Sequence, residues 1–344
     1  MKGIVKYRKG KGNVALRDVE ERRPSAEEVK IEVKATGLCG SDLHTYHDEI
    51  KIPVRPPVVM GHEFSGVVVE VGEKVTDVSV GDRVTAESGA SVCGTCRYCR
   101  SGHSNLCPER RVMGYWVDGS FARYCVASAD RIHRLPDTVD FIAAALTEPA
   151  ACCVHGIIEQ TGISAGDFVV VVGPGAIGLL SLQLALAEGG TVLICGTSGD
   201  GDRLKLAQDL GANYAVDMEE EDLDQMVQGL TDAYGADVVL ECAGAPSAAR
   251  LALHLVRKRG KYAQLGLFGR PIEIDFEWIA FKELQVTGSI GQRRPSWERA
   301  LKLMASGKLR CAPLVSHEMP FEDWERAFQM FERREGVKLV FRPD

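Results

Sequence analysis

Apolar residues follow two different patterns along the 344 residues of this chain. Up to about residue 150, short apolar runs are broken by glycine, as at positions 67–71 and 80–84. Short runs rich in valine and bounded by glycine predict β-strands. The first part of the chain should therefore form a small, irregular β-rich domain.

From about residue 166, apolar runs alternate with helical patterns. Residues 167–172 predict a buried strand, and residues 176–187, which are apolar on most faces, predict a helix. The strand and helix segments that follow are 191–195, 203–210, 236–241, 248–257, 261–265 and 284–290. This alternation predicts an α/β fold with a parallel sheet and helices on both of its faces.

The last segment begins near residue 296. It contains two amphipathic helical patterns, at 297–305 and 321–333, and an extended stretch at 337–341. Periodicity does not assign this segment to either part of the chain. The length of the chain fits two domains better than one.

Composition and charge narrow the range of functions. A hydrophobic fraction of 45% with 36 glycines indicates a globular, turn-rich protein. The net charge of -7, without a block of Lys or Arg, argues against a nucleic-acid partner. The first residues lack the apolar core of a signal peptide, and the run at 168–172 is too short to cross a bilayer. We therefore expect a cytoplasmic protein that acts on a small molecule, with no membrane partner.

Four of the eleven cysteines lie close together, at Cys93, Cys96, Cys99 and Cys107. This spacing lets one loop surround a tetrahedral ion, and four thiolates leave no position open for a substrate. The pattern predicts a structural zinc, with an iron–sulfur cluster as the alternative that uses the same ligands. The other cysteines should be reduced thiols.

A glycine-rich turn follows the predicted strand at 167–172 and opens the predicted helix. Its residues are Gly173, Pro174, Gly175, Ala176, Ile177 and Gly178. In this strand–turn–helix context the glycines permit a tight turn, close approach of the backbone to a pyrophosphate, and close helix packing. The turn therefore predicts a dinucleotide cofactor, with its phosphates at the helix N-terminus.

The second strand of this unit should end in an acidic residue that binds the adenosine ribose. Gly196 stands there instead. The loop that follows carries hydroxyls and a guanidinium, at Thr197, Ser198 and Arg203. Because these groups suit a ribose 2′-phosphate, NADP is favoured over NAD, although Asp200 or Asp202 could fold back and reverse the choice.

The stretch from Cys39 to Glu63 brings together thiol, imidazole and carboxylate groups, which are the ligand types of zinc. Alone, Cys39 would be a buried thiol and His62 a core histidine. Together with a dinucleotide turn they suggest hydride transfer, because an enzyme that oxidises an alcohol needs a Lewis acid to lower the pKa of the hydroxyl.

The order of motifs along nearly the whole chain resembles one family, the zinc-dependent medium-chain alcohol and polyol dehydrogenases. The motifs are Cys39-x-Ser41-Asp42-x-His44, Gly61-His62-Glu63, the four-cysteine lobe, Thr147-Glu148-Pro149-Ala150 and Gly173-x-Gly175-x-x-Gly178. The resemblance implies a GroES-like catalytic domain at 1–155 and 292–344, with the zinc lobe at about 90–110. It also implies a Rossmann domain at 156–291, a cofactor cleft between the domains, and a dimer or tetramer formed through the edges of the Rossmann sheets.

The resemblance also implies roles for individual residues. Cys39 and His62 would bind the catalytic zinc, with Glu63 as a direct or exchangeable ligand. Glu148 stands where simple alcohol dehydrogenases carry a second cysteine, and it resembles the sorbitol and threonine dehydrogenase branch, where this glutamate lies at or near the metal. Asp42 would orient His62.

Ser41 would accept the proton of the alcohol and pass it through the cofactor ribose to His44, which can exchange it with solvent. The resemblance further implies backbone contacts to the nicotinamide half of the cofactor. They would come from the residues that follow successive strands, which are Cys242, Leu265, Gly266, Leu267, Ser289 and Ile290.

The expected substrate is a secondary alcohol on a polyhydroxylated chain, and L-threonine is the alternative. Threonine would need a cation for its carboxylate, for which Arg293 and Arg294 are the candidates. A zinc-free reductase or a non-catalytic binding protein on the same scaffold is the alternative from another class. Either should have lost Cys39 and His62, and both are present.

Overall fold

The computed structural model describes residues 1–343, and the chain forms two compact units. The first contains residues 1–151, 292–305 and the described chain from 314 onward, and the second contains 152–291 and 306–313. The domain bounds implied by the resemblance placed residues 152–155 and 306–313 in the catalytic domain, whereas the structure places both segments in the second unit. In the latter segment the Arg310 amide donates to Gln183 Oε1 over 2.7 Å, a link that periodicity could not show.

Short strands dominate the N-terminal part of the first unit. They are β1 (Lys2–Lys6), β2 (Val14–Asp18), β3 (Glu28–Gly37), β4 (Val58–Val59), β5 (Glu63–Val71), β6 (Arg83–Ala86), β7 (Gly89–Ser91), β8 (Arg111–Val112), β9 (Tyr124–Ser128) and β10 (Ile132–Arg134). The α-helices in this part of the chain are α1 (Gly40–His47), α2 (Arg97–Arg100), α3 (Phe141–Ala145) and α4 (Thr147–Cys153). The segment Val154–Thr161, which is π-helical and directly follows α4, belongs to the second unit. The expected β-rich domain is present.

Strands and helices alternate in the second unit. They are β11 (Phe168–Val172), α5 (Ala176–Ala187), β12 (Thr191–Gly196), α6 (Gly201–Asp209), β13 (Tyr214–Asp217), α7 (Leu223–Leu230), β14 (Ala236–Glu241), α8 (Pro246–Leu255), β15 (Val256–Gln264), α9 (Glu277–Phe281) and β16 (Gln285–Gly288). The last part of the chain forms α10 (Arg294–Ala305), β17 (Val315–Met319), α11 (Trp324–Glu332) and β18 (Lys338–Phe341). Short 3₁₀ turns lie at Ser104–Leu106, Ala129–Arg131, Ser198–Asp200, Ala312–Leu314 and Phe321–Asp323.

The second unit is built on a parallel sheet with strand order β13-β12-β11-β14-β15-β16. Every residue of β11 is buried, as expected for a central parallel strand covered on both faces. The chain order reverses between β11 and β14, and the carboxyl ends of strands at such a point form a ligand crevice. The predicted α/β fold is confirmed, although the sequence pattern missed β13, α7 and α9 and extended the helix at 248–257 two residues too far.

The first unit is organised around the long strand β3. It pairs in antiparallel fashion with β5, β9 and β18, so the end of the chain joins the N-terminal sheet. Alternate residues of β3, such as Ile31 and Val33, pack with Phe64 and Val68 of β5 in a buried cluster. The last part of the chain, which periodicity left unassigned, thus contributes β17 and β18 to this unit.

Candidate active site and metal centres

Strand register brings the first group of candidate ligands together. Gly37 at the end of β3 pairs with Glu63 at the start of β5. Cys39 follows β3 as the N-cap of α1, and His62 precedes β5. As a result the Cys39 thiol, a His62 ring nitrogen and a Glu63 carboxylate oxygen lie within 4.8 Å of one another. Thiolate, imidazole and carboxylate at this separation suit a zinc ion.

The electrostatics of this pocket favour a cation. Burial opposes the charged form of His62, but the negative charges of Asp42, Cys39 and Glu148 outweigh it and raise the pKa of the imidazole to about 10. Burial likewise opposes the charge of Lys338, yet Glu63, Cys39 and Glu148 raise the pKa of its amine above the ordinary value. A buried site that stabilises positive charge in this way fits a divalent metal.

Lys338 is a buried partner of this site that sequence reasoning missed. Its amine forms an ion pair with Glu63 Oε2, and the side chain of Lys338 is 4% exposed. A Cβ on Gly37 would lie 2.4 Å from Glu63 Oε2, so only glycine leaves room for the pair. Because β18 reaches this place through tertiary pairing, no local motif could reveal Lys338.

Ser41 and Asp42 lie on the first turn of α1, beside the candidate ligands. The Asp42 carboxylate accepts a hydrogen bond from the Cys39 amide over 3.0 Å, and its Oδ1 lies 3.7 Å from His62 Nδ1. Ser41 Oγ lies 3.1 Å from Cys39 Sγ and 3.5 Å from His62 Nε2. Ser41 and Asp42 thus lie beside His62, although Asp42 Oδ1 is beyond hydrogen-bond distance of the imidazole and is a buried oxygen without a hydrogen-bond partner among the described residues.

Tyr115 is a further residue that the sequence did not reveal. Its hydroxyl donates to Ser41 Oγ over 2.7 Å and lies 3.4 Å from His62 Nδ1. Burial, together with the charges of Asp42 and Cys39, raises the pKa of this phenol well above its ordinary value, so the hydroxyl stays protonated. His44 lies on the same helix as Ser41, and in the part of the chain that the structure describes the two side chains share no direct hydrogen bond.

Glu148 lies on the first turn of α4 and is 7% exposed. Its Oε1 accepts hydrogen bonds from Ser88 Oγ over 3.0 Å and from Gln292 Nε2 over 2.6 Å. Its carboxylate does not belong to the group of atoms within 4.8 Å formed by Cys39, His62 and Glu63. Its charge nevertheless contributes to the raised pKa of His62, which places it in the same electrostatic environment.

The four-cysteine lobe forms a second cluster. The thiols of Cys93, Cys96, Cys99 and Cys107 lie within 4.8 Å of one another. Backbone amides donate to the sulfurs, for example Cys96 N to Cys93 Sγ over 3.3 Å, and such bonds lower the pKa of Cys93 to about 6. Four thiols, one of them readily ionised, suit a tetrahedral zinc.

The dinucleotide turn fits its proposed ligand. Gly173 has a φ of +102°, and a Cβ there would lie 2.7 Å from Ala243 Cβ. A Cβ on Gly178 would lie 1.9 Å from the Gly173 carbonyl oxygen. Gly175, by contrast, faces open space and is the N-cap of α5, with no side chain capping the helix. This geometry leaves the helix N-terminus open to a pyrophosphate.

Gly196 ends β12, as the sequence predicted, and the loop follows it. The Thr197 amide and hydroxyl both donate to Asp200 Oδ2, and Arg203 Nη1 lies 3.0 Å from Asp200 Oδ1. The Ser198 amide donates to Glu219 Oε2 over 3.0 Å. This loop is thus bonded to two carboxylates, Asp200 within the loop and Glu219, which follows β13.

A buried carboxylate organises the loops expected near the nicotinamide. Glu241 ends β14, and its Oε1 accepts the amides of Ala243 and Gly244 over 3.0 Å and 2.8 Å. Its backbone oxygen accepts the amides of Leu265 and Gly266. Glu241 therefore fixes the segments that contain Cys242, Gly266 and Leu267, and it is another residue without a sequence motif.

A dinucleotide turn together with two zinc-type clusters defines a class of nicotinamide-dependent dehydrogenase. Comparison with family models agrees with this class. The alcohol dehydrogenase GroES-like domain matches residues 25–137, and the zinc-binding dehydrogenase model matches residues 176–306.

Curated relatives match over the full length of the chain. Sorbitol dehydrogenase from Halalkalibacterium halodurans is 49% identical, covering 100% of this chain and 99% of the relative. D-arabitol-phosphate dehydrogenase from Enterococcus avium is 40% identical, covering 99% and 97%. L-threonine 3-dehydrogenase from Pyrococcus horikoshii is 36% identical, covering 99% and 98%.

A solved structure of a zinc-binding dehydrogenase from Sinorhizobium meliloti 1021, bound to NADP, is also similar. It is 33% identical, with a TM-score of 0.91 and 99% of both chains covered. The chain therefore belongs to the zinc-dependent medium-chain alcohol and polyol dehydrogenase family, as the motifs predicted. It is an oxidoreductase that uses zinc and a nicotinamide cofactor and acts on small-molecule alcohols. Among the helices of residues 1–343, none has the length and apolar character needed to cross a bilayer.

Proposed function

We propose that this enzyme transfers hydride between a secondary alcohol of a polyhydroxylated substrate and a nicotinamide dinucleotide. The observation that carries the proposal is the group formed by Cys39, His62 and Glu63, with Glu148 rather than a second cysteine nearby. The sorbitol and D-arabitol-phosphate dehydrogenases, at 49% and 40% identity, support a polyol over an amino acid.

In the proposed site Cys39, His62 and Glu63 would hold the catalytic zinc, and Glu148 would contact it directly or through water. When bound there, zinc supplies a Lewis acid that lowers the pKa of the substrate hydroxyl. Ser41 would accept the proton of the substrate hydroxyl and release its own hydroxyl proton toward His44 and solvent. Tyr115, which donates to Ser41 over 2.7 Å, would hold the Ser41 oxygen in place.

Asp42 and His44 complete the proposed machinery from the same helix, α1. Asp42, fixed by the Cys39 amide, faces His62 Nδ1 and favours the tautomer that leaves Nε2 as a lone-pair donor. His44 is partly exposed and exchanges the proton with solvent.

In the second unit, the dinucleotide turn would hold the pyrophosphate through Gly173, Gly175 and Gly178 and their neighbours Pro174, Ala176 and Ile177. The segments fixed by Glu241, together with Ser289 and Ile290, would contact the nicotinamide half. When bound there, a nicotinamide dinucleotide would supply the acceptor for the carbinol hydride. The four cysteines of the lobe would hold the structural zinc, which gives two zinc ions per chain.

An activity panel tests the substrate class. We expect kcat/KM for sugar alcohols and their phosphates to exceed that for L-threonine and for simple alcohols by about 100-fold or more. A site built to hydrogen-bond several hydroxyls rejects substrates that lack them. Steady-state rates of the purified zinc enzyme with NAD and NADP provide the measurement. Preference for ethanol or 2-propanol would contradict the proposal.

L-threonine remains the alternative because threonine dehydrogenases are 36% identical over 99% of the chain. Its carboxylate needs a cation, and Arg294 already donates to the Asp130 carbonyl over 2.6 Å and pairs with Glu298. A reductase or binding protein without the catalytic zinc would contain one zinc ion per chain, the structural one, instead of two. Metal analysis of the purified protein distinguishes that case.

We propose NADP as the preferred dinucleotide, with Arg203 as the residue that receives the 2′-phosphate. Support comes from Gly196 at the end of β12 and from the similar protein bound to NADP. Arg203 now pairs with Asp200 over 3.0 Å, so the phosphate must compete with this carboxylate.

Substitution of Arg203 tests this cofactor preference. The variant Arg203→Ala should raise KM for NADP by about tenfold, since it loses one charge-assisted contact, and should change KM for NAD little. Asp200→Asn, which relieves the competition, should shift the preference further toward NADP. Equal effects of Arg203→Ala on both cofactors would show that this guanidinium does not read the phosphate.

We propose that the enzyme forms a dimer or tetramer through the edge strand β16. This strand is largely exposed, and Val286 is 46% exposed on it. An open parallel edge with apolar residues is a surface for pairing with a second copy. Val286→Lys should therefore yield monomers in sedimentation or light scattering, whereas the same mass as wild type would place the interface elsewhere.

We also propose a cytoplasmic location. None of the eleven cysteines, all within the described chain, is in a disulfide, and thiol zinc ligands persist in a reducing compartment. Cell fractionation with an antibody to the native protein tests the location.

A further inference from the structure

Gln292 holds the carboxylate of Glu148. It is the first residue of the segment 292–305 that returns to the first unit, and it is 5% exposed. Its Nε2 lies 2.6 Å from Glu148 Oε1 and 3.2 Å from Ser88 Oγ. Because an ionised carboxylate only accepts hydrogen bonds, the amide nitrogen of Gln292 must be the group that faces it.

Ser88 closes the arrangement. Its hydroxyl donates to Glu148 Oε1 over 3.0 Å and accepts the second N–H of Gln292. Two donors therefore meet on one oxygen of Glu148, and together they fix the position of that oxygen. Charge-assisted hydrogen bonds of this kind are stronger than bonds between neutral groups.

Gln292 also lines a small polar cavity. Gln292 Oε1 is buried and accepts no hydrogen bond within residues 1–343. The cavity beside it measures about 10 Å³, and its lining includes the side chains of Glu87, Ser104, Arg110 and Arg131. A polar cavity of this size has room for about one water molecule, which needs two to four polar partners. A bound water would satisfy the amide oxygen and prevent the amide from turning.

We infer that Gln292, held by one buried water, is a positioning residue that sets the carboxylate of Glu148 for the reaction. The inference rests on the proposed role of Glu148 at the catalytic zinc. Gln292 itself touches neither substrate nor metal in this role. The expected consequence is a loss of turnover and of metal retention when its N–H is removed.

The test uses Gln292→Met, which keeps the length of the side chain but cannot donate. We expect kcat to fall about tenfold, the typical effect of removing a partner of a metal-site residue, with KM for the dinucleotide unchanged. The visible spectrum of the cobalt-substituted enzyme should shift, because the environment of the catalytic metal changes. Chelator competition should also remove the catalytic metal faster than from wild type.

Gln183→Met is the matched control. Gln183 is also a buried glutamine, but its amide donates to the Leu179 and Arg310 carbonyls. The Gln183→Met variant should have a lower melting temperature than wild type, with kcat and the cobalt spectrum unchanged. If Gln292→Met lowered only the melting temperature, as the control does, the inference would be overturned.

A double-mutant cycle separates this inference from the proposed function. Glu148→Ala should lower kcat, and adding Gln292→Met to it should cause no further loss, because the positioned group is gone. If Glu148→Ala keeps full activity, the proposed role of Glu148 fails. If Gln292→Met lowers kcat as much in the Glu148→Ala enzyme as in wild type, Gln292 does not act through Glu148. A crystal structure of the zinc enzyme should show an ordered water within hydrogen-bond distance of Gln292 Oε1. A cavity without water would refute the proposal that a buried water holds the Gln292 amide.

Discussion

Replacing Cys39 with alanine is expected to abolish alcohol oxidation while leaving the affinity for the nicotinamide cofactor unchanged. Cys39 supplies the thiolate among three candidate ligands, and its sulfur also accepts the Ser41 hydroxyl over 3.1 Å. The metal contributes several kcal/mol to the stabilisation of charge in the transition state, so kcat should fall by about 10³-fold or more.

The measurement combines metal analysis, cofactor titration by fluorescence and steady-state kinetics. The native enzyme should contain two zinc ions per chain and the variant one. Cys125→Ala is the control, since Cys125 lies buried in β9 and outside both ligand clusters. Removal of the catalytic zinc by a chelator should reproduce the effect of Cys39→Ala. A chelated enzyme with full activity would disprove metal-dependent catalysis.

Loss of one lobe cysteine should produce the largest change in stability. Cys107→Ser removes one of four thiols that lie within 4.8 Å of one another. Because a structural zinc contributes directly to folding, we expect the variant to lose that ion and to melt about 10 °C lower, which corresponds to about 3 kcal/mol for a domain of this size. Calorimetry and metal analysis of both proteins give the result.

Cys311→Ser serves as the matched control for the lobe, since Cys311 is a buried cysteine outside both clusters. Limited proteolysis should then cleave the Cys107→Ser variant, and not the control, near residues 91–110. Unchanged zinc content and melting temperature would contradict a structural zinc. A brown protein that contains iron would instead support the alternative cluster.

The local features of the chain could be predicted without tertiary information. The four lobe cysteines fall within fifteen positions, and the dinucleotide turn is a continuous strand–turn–helix segment. In both, neighbours in sequence are neighbours in space, so residue type and spacing contain the geometry. The same holds for the alternation of strands and helices in the second unit.

Partners that are distant along the chain could not be predicted in this way. Glu148 is held by Ser88 and Gln292, which lie 60 and 144 positions away. Glu63 is paired with Lys338, which arrives from the last strand. Tyr115 and Glu241 likewise belong to no motif, because each acts through contacts that only the folded chain creates.

By itself, therefore, the sequence determined the kinds of ligand, the cofactor turn and the alternation of the parallel sheet. The tertiary structure decided how Cys39 meets Glu63, through the pairing of Gly37 with Glu63 between β3 and β5. It also decided which groups surround them. The physical reason is that periodicity records which face of a strand or helix is buried, whereas strand register and the return of the chain determine which distant side chains share that buried face.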